Sequence, residues 1–141
     1  MALPSVGGGY QFNDGNINEV EISTQGTPAA KTTSTTLTTD ELATGILTVN
    51  QGAGAGSTLT LPTGTLMDAA FTNMKVDSSF DFSLINISTT DADDATIAVG
   101  TGWTLVGDVV VNAKSASTIP TSGLFRARKT GTATWTLYRI A

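Results

Sequence analysis

The sequence predicts an all-β protein, an antiparallel β-sandwich of jelly-roll type with about eight strands and one short helix. Threonine, whose branched Cβ suits a pleated strand better than a helix, accounts for 26 of the 141 residues. Short segments of alternating or β-branched apolar residues recur between turns rich in Gly, Asn and Asp. Only one segment has the spacing of a longer amphipathic helix.

Residues 78–90 are predicted to form the central core strand. Its inward-facing residues are Phe80, Phe82 and Leu84, which alternate with polar residues at the period of two that a half-buried strand requires. Ile85 and Ile87 follow on the opposite face. The far half of the strand is therefore predicted to be apolar on both faces, or a bulge shifts the phase near Leu84.

Residues 1–36 are predicted to be an extended N-terminal arm and linker, and residues 37–141 the sandwich body. Three glycines precede Tyr10 and Phe12, two aromatic side chains that are unfavourable in water. Either these rings fold back on the body or they dock on a partner. The alternation in residues 17–22 predicts a short edge strand. Residues 23–36 contain no large apolar side chain, which indicates a linker or a surface-tracking arm.

The elements of the body follow from local signals. Thr38, three residues before Glu41, has the spacing of a capping box and predicts one helical turn. Residues 45–50 and 58–61 are predicted to pair as a hairpin across the glycine-rich turn between them. Residues 65–75 are predicted to form the helix, which plugs one end of the sandwich. The later predicted strands are 96–99, 103–106, 109–112, 124–129 and 134–140, and the last two form a closing hairpin.

Composition excludes several function classes. The chain has no cysteine and no histidine, which removes disulfides, zinc–thiolate sites, thiol nucleophiles and the commonest general base. A net charge of −5 argues against nucleic acid as a partner. The sequence has neither the pattern of a signal peptide nor an apolar run long enough to cross a membrane. We therefore expect no enzyme activity, no catalytic residues, no cofactor, no bound metal and no membrane partner.

An acidic turn is predicted between two strands. Asp91, Asp93 and Asp94 place three carboxylates within four residues, a donor type that Ca²⁺ prefers. The spacing lacks the glycine and the later bidentate glutamate of an EF-hand loop. A solvated acidic turn is the favoured interpretation.

A basic strip is predicted near the end of the chain. Four of the seven cationic residues lie in the last 16 positions, and all twelve acids precede them. These four are Arg126, Arg128, Lys129 and Arg139. One interpretation is ion pairing within the protomer, to Asp81 or to other acids on neighbouring strands. The other is a strip that binds an acidic neighbour, because arginine forks match carboxylates.

Four segments, taken in order, resemble a known family: LTTDELATGILTVNQGAGAGSTLTLP, SSFDFSLINIST, GTGWTLVG and FRARKTGTATWTLYRI. They resemble the small β-sandwich domain of tailed-bacteriophage capsid decoration proteins, also called cement proteins, over residues 37–141. The resemblance implies a homotrimer on the outer capsid surface of the virion. It implies a structural protein that stabilises the capsid by bridging subunits of the major capsid protein, with no catalytic residue.

The candidate capsid or subunit interface residues are Tyr10, Phe12, Arg126, Arg128 and Arg139. The alternative function is a receptor- or glycan-binding module of a virion fibre or surface spike. In that case exposed aromatic rings would stack on sugars. The candidates for stacking are Trp103, Trp135, Tyr10 and Tyr138. An enzyme would need a carboxylate pair or a Ser–Lys pair, and no spacing selects one.

Overall fold

The computed structural model describes residues 23–114 and 120–141, and within them it contains ten strands and two short helices. The strands are β1 (Ala29–Lys31), β2 (Thr35–Thr36), β3 (Ile46–Val49), β4 (Ser57–Thr60), β5 (Ser79–Asn86), β6 (Ala95–Ala98), β7 (Trp103–Val106), β8 (Val110–Val111), β9 (Ser122–Gly131) and β10 (Thr134–Arg139). The helices are α1 (Thr39–Ala43) and α2 (Gly64–Ala70).

The strands form two sheets, and the structure is mostly β, consistent with a β-sandwich. The larger sheet has the order β1-β3-β5-β9-β10-β7, and the smaller has the order β2-β4-β6-β8. One apolar cluster joins them: Phe82 and Trp135 of the larger sheet belong to the same buried core as Leu59 and Ile97 of the smaller. Each of these side chains is at most 1% exposed.

The chain alternates between the two sheets from β1 to β8, with odd-numbered strands in the larger sheet and even-numbered strands in the smaller. From β3 to β8, every strand except β7 therefore lies beside the strand two places earlier, and four of these five neighbouring pairs are parallel. Five of the eight pairings are parallel. The prediction of an antiparallel sandwich is wrong for these five pairs. The jelly-roll topology, which is built from antiparallel Greek keys, is not confirmed.

The predicted hairpin between residues 45–50 and 58–61 is wrong for the same reason. The glycine-rich turn 51–56 carries the chain across to the smaller sheet instead of folding it back on β3. There β4 pairs in parallel with β2 and β6. The predicted closing hairpin is confirmed, because β9 and β10 are antiparallel neighbours. β9 also pairs with β5, and this register places Phe82 opposite Phe125 with their rings stacked at 5.6 Å.

The central strand, β5, keeps a single phase along its length. Phe82 and Leu84 are buried as predicted, and the next inward position is Asn86, which is 1% exposed. Ile87, in contrast, is 46% exposed. The predicted two-faced apolar half is therefore wrong. The inward positions beyond Leu84 are filled by polar side chains, Asn86 and Ser88, whose hydrogen bonds are made inside the protein.

Both predicted helical segments are present. The capping box of α1 is confirmed: the Glu41 amide donates to the Thr38 hydroxyl at 3.2 Å, and the Thr38 amide donates to the Glu41 carboxylate at 2.9 Å. α2 ends earlier than predicted, because the backbone leaves the helical region at Phe71. The Phe71 ring packs on Phe80 at 5.0 Å between centroids, and Met67 is the side chain that α2 buries in the core.

The folded body begins before residue 37. β1 and β2 lie within the predicted linker, yet they pair with β3 and β4. Backbone hydrogen bonds add these short segments of small and polar residues to the sheets, so they need no large apolar side chain. Residues 1–22, with Tyr10, Phe12 and the predicted edge strand 17–22, lie outside the described residues.

Candidate interaction surface

Arg126 forms an ion pair within the protomer. The register between β5 and β9 places it opposite Asp81 on the outer face of the larger sheet. Its Nε donates to Asp81 Oδ1 at 2.7 Å, and a terminal nitrogen donates to Oδ2 at 2.8 Å. These bonds lower the pKa of Asp81 and raise that of Arg126. The interpretation of internal pairing to Asp81 is confirmed for this arginine.

Arg128 and Lys129 are also paired within the protomer. Arg128 donates to the Tyr138 hydroxyl at 3.3 Å and forms an ion pair with Asp77, and both contacts raise its pKa. Lys129 Nζ lies 2.9 Å from Asp68 Oδ1. Three of the four cations in the basic strip therefore carry an acidic partner from their own chain.

Arg139 does not lie with the other two arginines. It is opposite Phe125, whose side chain points into the core, whereas Arg126 points outward. Its guanidinium carbon lies 5.0 Å from the centroid of the Phe125 ring. It donates to backbone carbonyl oxygens, including Val110 at 3.0 Å and Ser122 at 3.4 Å. Arg139 therefore ties the ends of β9 and β10 to β8, and the predicted strip is divided between two faces of the sheet.

The acidic turn folds around a buried carboxylate. Asp93 is 1% exposed, so the interpretation of a solvated turn is wrong for this residue. Its carboxylate accepts the Ser88 hydroxyl at 2.6 Å and the Ala55 amide at 2.9 Å. The Ser88 hydroxyl, with N–H groups of Gly52, Ala55 and Gly54, lowers the pKa of Asp93. Asp93 therefore holds the glycine-rich turn 51–56 against the end of β5.

Asn86 completes this buried polar cluster. Its side-chain amide donates to the Asp93 carbonyl at 2.7 Å and to the Val111 carbonyl at 3.2 Å. Asp94 accepts the Ala113 amide at 3.0 Å. Within residues 23–114 and 120–141, no group of three or more acidic side chains is placed to share a metal ion. In the same residues no helix is long and apolar enough to cross a membrane.

The aromatic residues differ in how far they can reach a sugar. Trp135 is 1% exposed and its indole donates to Asp68 at 3.0 Å, so its ring has no free face. Trp103 is half-buried and donates to the Pro62 carbonyl at 2.7 Å. Tyr138 is half-buried beside Arg128, and Tyr10 lies outside the described residues.

Three exposed apolar residues lie at the β7 edge of the larger sheet, and we call them the exposed apolar strip: Leu105, Val106 and Ile140. Leu105 and Val106 project from opposite faces of β7. β7 is the last strand of that sheet and contains no charged residue. Leu105 is 39% exposed, Val106 48% and Ile140 49%. Sequence reasoning missed this strip because the strand order that makes β7 an edge cannot be read from local spacing. The uncharged segment 103–106 was the available signal, since edges are usually protected by charge, proline or a bulge.

Comparison with protein-family models, with curated proteins and with solved structures found no match to this chain.

Proposed function

We propose that this chain is a structural virion protein, a capsid decoration protein of a tailed bacteriophage. In this proposal it assembles as a homotrimer on the outer capsid surface and bridges subunits of the major capsid protein. The proposal rests on the ordered sequence segments described above. A body with two sheets, a common core and several internal ion pairs is compatible with a role that needs rigidity and no chemistry.

The observation that best supports a contact role is the exposed apolar strip. Unprotected apolar edges in soluble proteins tend to be covered by another chain. Arg126, Arg128 and Lys129, in contrast, are already paired with acids of their own protomer, so the exposed apolar strip is the better candidate for the interface. Binding through three equivalent copies would raise the overall affinity even where each contact is weak.

The test is binding to empty capsids that lack the protein. Wild type is expected to co-sediment with the capsids and to raise their melting temperature, and light scattering is expected to give a trimer. Val106→Asp places a charge in the strip and is expected to abolish trimer formation or capsid binding. Val76→Asp is the matched control, because Val76 is 56% exposed outside the strip. A wild-type monomer that does not bind capsids would refute the proposal.

The arm is tested separately. Deletion of residues 1–22 is expected to lower capsid occupancy if Tyr10 and Phe12 contact the shell, whereas unchanged occupancy would remove the arm from the mechanism. A glycan array addresses the receptor-binding alternative. Binding to a defined sugar, without binding to capsids, would favour that alternative over a decoration protein.

A further inference from the structure

The second helix has an apolar side that faces away from the core. α2 buries Met67, yet Leu66, Ala69 and Ala70 are all exposed, and Leu66 is 56% exposed. These three residues follow the spacing of one helical face. A surface helix normally presents polar residues on this side, so the exposed face of α2 is suited to being covered.

This face forms one wall of a groove. The opposite wall is the chain that leads from β2 into α1, and the buried residues Leu37 and Pro62 lie between the walls. The groove has a volume of about 560 Å³, and none of its lining residues is charged. Its polar side chains are those of the threonines at positions 36, 38 and 39. Such a groove fits an apolar or aromatic group. The threonine hydroxyls can also form a small number of hydrogen bonds with a hydroxyl group of the bound segment.

The chain enters the structure close to this groove. Gln25 donates its side-chain amide to the Thr44 carbonyl at 2.5 Å, at the carboxyl end of α1. The groove lies at the opposite end of the same helix, about 9 Å away for six residues along a helix axis. The 12 residues between Phe12 and Gln25 allow the two to lie up to about 45 Å apart when the chain is extended. The arm is therefore several times longer than it needs to be to reach the groove of its own chain.

The arm also has the composition that the groove requires. Asp14 is the first residue of the sequence with a charged side chain, so Tyr10 and Phe12 lie in a neutral segment. A neutral aromatic pair can enter an uncharged groove without the cost of desolvating a charge. Because the arm and the groove belong to one chain, the local concentration of the arm at its own groove is high, which favours it over the arm of another copy.

We propose that, in the free protein, the segment Tyr10–Gln11–Phe12 docks in the groove between α1 and α2 of its own chain. The exposed face of α2 is then covered by this segment until a partner takes its place. The inference concerns the unbound protein, so it stands or falls independently of capsid binding.

The test uses the full-length chain, which has no cysteine of its own. A nitroxide label on Asn13→Cys is expected to broaden the backbone NMR signals of Leu66, Ala69 and Ala70. The broadening is expected to be lost when Tyr10→Ala and Phe12→Ala are added. Absence of broadening in the first protein would overturn the proposal.

Two further measurements test whether the groove is the docking site and whether the docked arm belongs to the same chain. Leu66→Asp is expected to remove the broadening of the Ala69 and Ala70 signals, while Val76→Asp, at an equally exposed position, is expected to leave it unchanged. Loss of broadening in both variants or in neither would contradict the assignment to the groove. The second measurement uses a co-refolded mixture of chains that carry only the nitroxide and chains that carry only the isotope label. Broadening as strong as in the chain that carries both labels would show that the arm comes from another copy. That result would overturn docking within one chain.

Discussion

Gly64 is expected to be intolerant of even one added methyl group. It is the first residue of α2 and packs against the turn between β9 and β10. A Cβ at this position would lie 2.1 Å from the carbonyl oxygen of Ala133 and 2.7 Å from its carbonyl carbon. Both atoms belong to the backbone, so the clash cannot be relieved by rotating a side chain.

Ala133 has little freedom to move away. Its amide donates to Asp68 at 2.8 Å, and Ala133 itself has a positive φ of 52° in the turn. The same carbonyl oxygen would lie 2.3 Å from a Cβ at Gly102. Gly64 and Gly102 therefore enclose the carbonyl group of Ala133, and the Asp68 hydrogen bond holds the preceding peptide group of the same turn.

Gly64→Ala is expected to destabilise the protein by about 1–4 kcal/mol. Overpacking of a buried site costs about 1–3 kcal/mol, and loss of the Asp68–Ala133 hydrogen bond adds about 1 kcal/mol. The higher helix propensity of alanine opposes this by up to about 1 kcal/mol. The melting temperature is then expected to fall by roughly 3–12 °C for a chain of this size.

Urea unfolding at a fixed protein concentration measures the effect. The midpoint urea concentration is expected to fall, while the slope of the free energy of unfolding against urea concentration is expected to stay unchanged. This combination would identify a loss of stability rather than a change in the compactness of the unfolded state. Gly26→Ala is the control, because nothing lies within 4 Å of a Cβ there and its effect is expected to stay within about 0.5 kcal/mol. If Gly64→Ala were as stable as wild type, helix propensity would outweigh the clash and the reasoning would be refuted.

Two other predictions concern the charged residues. Because the pKa of Asp93 is lowered in the folded protein, its contribution to stability is present above the unfolded-state pKa of about 3.9 and is lost as pH falls below it. Asp93→Asn is therefore expected to be less stable than wild type at neutral pH, with the difference narrowing in acid; a difference independent of pH would contradict this. Arg126→Gln is expected to cost less than about 1 kcal/mol, because the Asp81 pair is solvent-exposed. Phe125→Ala, one residue away in the core, is expected to cost about 3–5 kcal/mol, and similar costs for the two variants would disprove the assignment of Arg126 to a surface pair.

Features set by neighbouring residues could be predicted from the sequence. The capping box of α1 and the β9–β10 hairpin depend on residues a few positions apart, and both are present. The face on which Arg126 lies follows from alternation along β9, and Asp81 was among the acids proposed as its partners. Strand direction could not be predicted, because a glycine-rich turn permits both a hairpin and a crossing to the other sheet.

The buried acid shows where local reasoning fails. Three carboxylates within four residues are typical of a solvated turn, because unpaired charges are costly to bury. What buries Asp93 is a set of amide donors that includes Ala55, 38 residues earlier in the chain. No local sequence pattern indicates that these donors converge on Asp93. The inward positions of Asn86 and Ser88 extend the alternation of β5, but the apolar neighbours Ile85 and Ile87 hid that signal.

The exposed apolar strip is a consequence of topology and not of the residues next to it. After β8, the last two strands enter the larger sheet between β5 and β7. This insertion separates β7 from the strands that precede it and leaves it paired on one side only, with β10. The same segment placed at the centre of the sheet would be covered on both sides. An apolar edge without charge, proline or bulge is a liability for an isolated protein, because it promotes association. We therefore expect that replacing Val106 with a charged residue affects association far more than it affects folding.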